Sequence, residues 1–117
     1  MSKKAALCLS FAVSLGILLL TGCPQHVTIN KINGDPGAYT NKEVAVTGTV
    51  SRSYGLLGNG VYELDDGTGK IWVLSERYGV PSDGARVGVV GVVVPTLTFG
   101  GKSYATGIRE TQRRTHP

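Results

Sequence analysis

Residues from which catalytic and metal centres are built are scarce in this chain. Histidine occurs twice, at His26 and His116, and neither has a third ligand near it in sequence, so no metal-binding spacing is present. Serine is plentiful, but it appears in no Gly-x-Ser-x-Gly turn, and no histidine partner or phosphate-cradling glycine loop accompanies it. Gly55, Gly58 and Gly60 precede a strand, whereas a dinucleotide fingerprint needs a strand before it and a helix after. Asp65 and Asp66 are adjacent, so they point apart in a tight turn, and the further oxygen ligands of a calcium loop are missing at its spacing. They read as turn residues. The composition therefore predicts no enzyme, no metal and no cofactor. Helical periodicity is missing as well: beyond the N-terminal apolar run, no useful length of chain repeats apolar residues at a 3.6 spacing.

Cysteine is the other scarce residue, present only as Cys8 and Cys23. Lys3 and Lys4 form a short basic head, and Ala5 to Leu20 are apolar except for Ser10, Ser14 and Gly16. That order and length suit a secretory signal better than a membrane span of about 18 residues or more. The run ends in Leu20-Thr21-Gly22-Cys23, which resembles the lipobox of bacterial lipoproteins. The resemblance implies cleavage before Cys23 and a covalent lipid on its thiol, each acyl chain contributing about 0.8 kcal/mol per buried CH₂ to membrane attachment. Residues 1–22 would be the signal peptide. Cys8 then leaves with the signal and Cys23 is consumed by lipid, so a domain of 95 residues (117 less 22) rests on its core without a disulfide. Pro24 follows the cysteine in place of the aspartate that resembles an inner-membrane retention signal, which implies a cell-envelope protein on the outer membrane facing the periplasm. Loss of Lys3 and Lys4 also leaves ten basic residues against eight acidic ones. Such a mildly basic domain makes a weak electrostatic case for nucleic acid.

The most informative stretch is Val61 to Leu74. Tyr62 and Leu64 share one face of its first run, Ile71 and Val73 share one face of the second, and Asp65-Asp66-Gly67-Thr68-Gly69 supplies the turn of a β-hairpin. Before it, Val44, Val46, Gly48 and Val50 alternate with small or polar residues as a first long strand. Arg86 to Val94 repeats that scheme with Val87, Val89, Gly91 and Val93, and the two predict partner strands at a barrel seam, the glycines letting each strand coil. Ser103 to Ile108 reads as the last strand. Ser51–Asn59, Glu76–Gly84 and Pro95–Gly101 read as loops, Pro24–Asn33 as a tether running into a short extended segment, and Ala38–Lys42 as a turn with Tyr39 over the core. The expected division is a lipidated tether over 23–39, a barrel over 40–110 and a fraying polar tail over 111–117.

The pattern from Val44 to Gly91, with its Asp-x-Thr-Gly hairpin between apolar strands, resembles the OB-fold group typified by anticodon-binding and helicase wedge domains. The resemblance implies an all-β, five-stranded Greek-key barrel that binds through the outer face of strands 2 and 3 and two flanking loops. The connection after strand 3 is too short for the helix usual there, so the N-terminal segment is expected to cover one barrel end. On the outer face lie Trp72 and Lys70, with Arg52 and Tyr54 in one loop and Phe99 and Lys102 near the other. This mixture of aromatics and cations can stack on bases or sugars. Alternatively, Trp72 packs beneath the N-terminal segment. The expected function is a lipid-anchored binding or adaptor module with an envelope protein as partner, or one that takes single-stranded nucleic acid or an oligosaccharide on the same face.

Overall fold

The computed structural model describes residues 24–56, 58–77 and 79–116. The segment expected to be a signal peptide, residues 1–22, and Cys23 lie outside the described residues. Among the described residues six strands form one sheet: β1 (Gln25–His26), β2 (Glu43–Leu56), β3 (Asn59–Asp65), β4 (Lys70–Ser75), β5 (Arg86–Phe99) and β6 (Lys102–His116). The order is β1-β2-β3-β4-β6-β5, and β2 also pairs with β5, so β2 to β6 close a five-stranded barrel. All its pairings are antiparallel except β4 with β6, where Trp72, Val73 and Leu74 face Gly107, Ile108 and Arg109 in parallel. β1 adds to the outside of β2 through Gln25↔Val44 and His26↔Ala45.

The expected hairpin forms in the register its side chains require, with Tyr62 opposite Val73 and Leu64 opposite Ile71. All four are buried in the barrel core with Val44, Val46, Val50, Val87, Val89, Val93 and Ile108. The expected seam is also present, pairing Val44 with Gly91, Val46 with Val89 and Gly48 with Val87. A Cβ on Gly48 would lie 2.7 Å from the backbone oxygen of Asp65, and one on Gly91 would press into the carbonyl of Arg109 and lie 2.5 Å from Ile108 Cγ2. Both glycines are thus required by close backbone approach at the turns of the barrel wall.

The N-terminal segment differs from the extended tether the sequence suggests. After β1 the chain forms helix α1 (Ile29–Gly34), then a 3₁₀ turn (Pro36–Ala38). Ile29 and Ile32 are fully buried in the barrel core, and Tyr39 packs against it. Closure of a barrel end by this segment is therefore achieved with a helix. A helix of six residues cannot persist by propensity alone. The β3–β4 turn holds it in place, for Thr28 at its N-cap makes no side-chain capping bond while Asp66 Oδ2 accepts from the Ile29 N–H at 2.9 Å and Thr68 Oγ1 from the Asn30 N–H at 3.2 Å. Asn33 Nδ2 returns a bond of 2.9 Å to the Lys70 carbonyl.

Asp66 also holds its own turn by accepting from the Thr68 N–H and hydroxyl and from the Gly69 N–H. Burial opposes its ionisation, but these bonds and the one from Ile29 outweigh that and hold the carboxyl below the ordinary aspartate value. Its stabilising contribution is present above that ordinary value and is lost as pH falls through the lower, folded one. Asp66→Ala is expected to destabilise the domain by about 1–2 kcal/mol at neutral pH, measured by urea denaturation. The loss should shrink at acid pH.

The strands are longer than the apolar pattern indicates. β2 continues past Val50 through a bulge between Val50 and Arg52 and pairs with β3 to Leu56↔Asn59, so Arg52 and Tyr54 stand on a strand where a loop was expected. β5 runs through Pro95 to Phe99, and Phe99 pairs with Lys102 across Gly100-Gly101, which replaces the expected loop by a tight hairpin. β6 pairs with β5 as far as Arg86↔His116. Residues 111–116 of the expected tail are therefore strand, held by backbone bonds that composition does not reveal.

Candidate functional site

The outer face of the β2–β3–β4 wall is built around one cross-strand row. Arg52 lies opposite Glu63, and Glu63 opposite Trp72. Neighbours Ile71 and Val73 point into the core, so the half-buried Trp72 projects outward. Tyr54 stacks against it at 6.1 Å between ring centroids with 23° between planes. Tyr104, from β6, packs against the indole at 4.8 Å and 37°. The Arg52 guanidinium carbon sits 5.7 Å from the indole centroid and the Lys102 ammonium 5.4 Å from the Tyr104 ring, both within cation–π range.

These groups line a cleft of about 470 Å³ with Phe99 and Gly100. Glu63 lies under its edge, buried, accepting from Ser51 Oγ at 2.8 Å and Arg52 Nε at 3.3 Å. That hydrogen bond and charge raise the pKa of Arg52 further. The contact partly neutralises the guanidinium where it borders the cleft. Among the described residues no three His, Cys, Asp or Glu side chains are grouped to hold a metal, and no helix is long and apolar enough to cross a membrane.

Five of the six expected residues, Arg52, Tyr54, Trp72, Phe99 and Lys102, meet in this cleft. The sixth, Lys70, begins β4 exposed beside the β3–β4 turn and is not part of the lining. The rings packed on Trp72 are those of Tyr54 and Tyr104, while the N-terminal helix docks at the β3–β4 turn. Tyr104 is the residue that sequence reading missed. Its signal was faint, a tyrosine two positions beyond Lys102 on the same strand parity. It reaches Trp72 because the β5–β6 arm bends back onto the barrel, with Thr106 at φ 44° and the Leu97 side chain packed directly over Gly107.

A second polar group lies inside the barrel. Tyr62 donates its hydroxyl to Glu110 Oε1 at 2.7 Å, and Arg113 Nη1 lies 3.4 Å from the same oxygen and 3.2 Å from the Gly79 carbonyl. Burial raises the Glu110 pKa, and the bonds from Tyr62 and Arg113 oppose that only in part. Burial next to Glu110 also drives the Tyr62 phenol well above its usual value. A further depression of about 440 Å³ outside β1, β2, β5 and β6 is lined by Pro24, His26, Gln112 and Arg114 among others, with no tryptophan, tyrosine or phenylalanine among the described residues that line it.

No family model matches the chain, and no curated protein is significantly similar to it. Solved structures are similar in fold. An aspartyl-tRNA synthetase assigned from Leishmania major Friedlin aligns over 86% of this chain with a TM-score of 0.62 at 13% identity. The chain corresponds to only 22% of that protein. The OBody AM3L09, bound to hen egg-white lysozyme, aligns over 67% of this chain and 84% of its own with a TM-score of 0.52 at 19% identity. With the strand order, the parallel β4–β6 contact and the β2–β5 closure, these likenesses identify the fold as an OB-type barrel.

Proposed function

We propose that the chain is a lipid-anchored, non-catalytic OB-fold binding module of the bacterial cell envelope, tethered through Cys23 and engaging an envelope protein through the cleft around Trp72. The observation that carries this reading is the cleft itself, where two tyrosine rings packed on Trp72 and two cations share one open face. Among the described residues, no histidine, cysteine, serine or carboxylate lines it, and its aromatic and cationic side chains offer contact surface. Rigid aromatic and arginine side chains are the groups that dominate protein interfaces. A fold neighbour bound to lysozyme is consistent with a barrel of this kind holding a protein. The stacked rings also suit single-stranded nucleic acid or an oligosaccharide on the same face, and the likeness to a tRNA synthetase supports testing it.

Trp72→Ala is expected to weaken partner binding by about 2 kcal/mol or more, roughly thirtyfold, with the fold retained by circular dichroism. Titration of the membrane-extracted chain against its co-purified partner checks this, and unchanged affinity removes the cleft from the function. The anchor has its own test. Cys23→Ser removes the thiol without altering signal hydrophobicity and should abolish acylation while still allowing export, and mass spectrometry of the wild-type N-terminus should find an acylated Cys23. An unmodified Cys23, or a retained Met1-to-Gly22 segment, would refute both the anchor and the location.

A further inference from the structure

We infer that the occupant of the cleft is a proline-rich, extended segment of the partner protein, a conclusion that rests on the reading of the cleft as the contact site. Three features of the lining select it. The first is hydrogen-bonding type. Arg52, Lys102 and the Trp72 indole offer donors, Tyr54 and Tyr104 offer hydroxyls, and no carboxylate or amide side chain is among the described residues of the lining. A polyproline II segment is the matching ligand, because its prolines have no N–H and its carbonyls, unused by any internal hydrogen bond, project as acceptors.

The second feature is charge. Glu63 Oε1 stands 3.3 Å from Arg52 Nε, so the cleft has little net positive charge beyond Lys102. Proteins that hold single strands without sequence preference track many phosphates along a positive groove, and this face has too few cations to do so. A sugar chain presents hydroxyls that donate as well as accept. Nothing on the lining side chains beyond two phenols can accept from them.

The third is dimension. Tyr54 lies 6.1 Å from Trp72, and Tyr104 lies 4.8 Å on, so the aromatic row is at most about 11 Å long. One turn of polyproline II, three residues rising about 3.1 Å each, covers that row with prolines i and i+3 on the same side. Such a segment is stiff before it binds and loses little entropy, which lets a shallow, open cleft hold it.

Trp72 is the only tryptophan of the chain, so its emission reports the cleft directly. The membrane-extracted mature chain in detergent micelles would be titrated with three probes: a twelve-residue peptide carrying a central run of six prolines, the same peptide with those prolines changed to alanine, and a fifteen-residue oligothymidylate. The expected result is a saturable change in indole emission with the proline peptide, at least tenfold weaker binding of the alanine peptide, and a tenfold loss on Tyr104→Ala with unfolding midpoint unchanged within a few degrees. Equal binding of the two peptides, or no response to the proline peptide, overturns the inference. If oligothymidylate, or a hexasaccharide in a parallel titration, saturates the emission instead, the cleft reading stands and only its occupant is wrong. If every probe is silent and Trp72→Ala keeps the co-purified partner, the cleft reading fails with it.

Discussion

Replacing Ile32 by Ala is expected to destabilise the domain by about 2–5 kcal/mol, and Ile29→Ala by a similar amount. Both side chains are fully buried in the cluster formed by the barrel strands, and each truncation leaves a cavity that a closed wall of paired backbone is poorly able to fill by relaxing. A domain of this size has about 5–15 kcal/mol in hand, so the double variant should lose a large part of its stability. A chain beginning at Thr40 should fare no better, because it lacks both isoleucines and the helix held by Asp66 and Thr68. Urea denaturation followed by circular dichroism measures both. A folded Thr40 chain with unchanged midpoint would show that the barrel is complete without residues 24–39.

Arg113→Met is expected to cost about 3–5 kcal/mol at neutral pH, because it leaves a fully buried glutamate without its cation. The Tyr62 hydroxyl remains, but Glu110 Oε2 has no hydrogen-bond partner among the described residues, so little else can stabilise the charge. The pH dependence identifies the cause. Burial raises the folded pKa of Glu110 above the ordinary 4.5, so the folded state holds a proton that the unfolded chain releases. The stability linked to that proton is full below 4.5 and declines as pH rises through the folded value, opposite in sign to the contribution of Asp66. Loss of Arg113 raises the folded value further, so the variant should approach wild-type stability on acidification. Glu110→Gln should abolish this part of the slope. Denaturation midpoints between about pH 4 and 8 for the wild type and the two variants decide it, and a deficit in the Arg113→Met protein that is independent of pH would refute the charge argument.

The parts of the fold that were legible in the sequence are those where period-two alternation is intact. Tyr62, Leu64, Ile71 and Val73 indicate the hairpin and its register, and the matched valine–glycine patterns around Gly48 and Gly91 indicate the seam. Where alternation is interrupted, legibility ended. The bulge between Val50 and Arg52 shifts parity, so Ser51-Arg52-Ser53 looks like loop though it is strand. Helix α1 shows only one i, i+3 apolar pair, Ile29 with Ile32, and its capping groups are supplied from 37 and 38 residues away. No local pattern can carry that. Trp72 was legible because outward parity beside buried neighbours places it, whereas Arg52 and Tyr54 were expected in a loop and stand on a strand instead. Tyr104 depends on the arm folding back at Thr106 and Gly107, a tertiary event.

The pairing of β1 with β2 bears on where such a module can work. Gln25 is fixed to Val44, and only two links of chain separate it from Cys23, a span of at most about 7 Å. With the proposed lipid on Cys23, the barrel has almost no leash. It would ride on the bilayer surface like a stud and could not reach outward into the periplasm on a flexible arm. Whatever fills its cleft would have to descend to the membrane, so the search for a partner becomes two-dimensional, and a partner confined to the far side of the compartment would be out of range however well its chemistry matched.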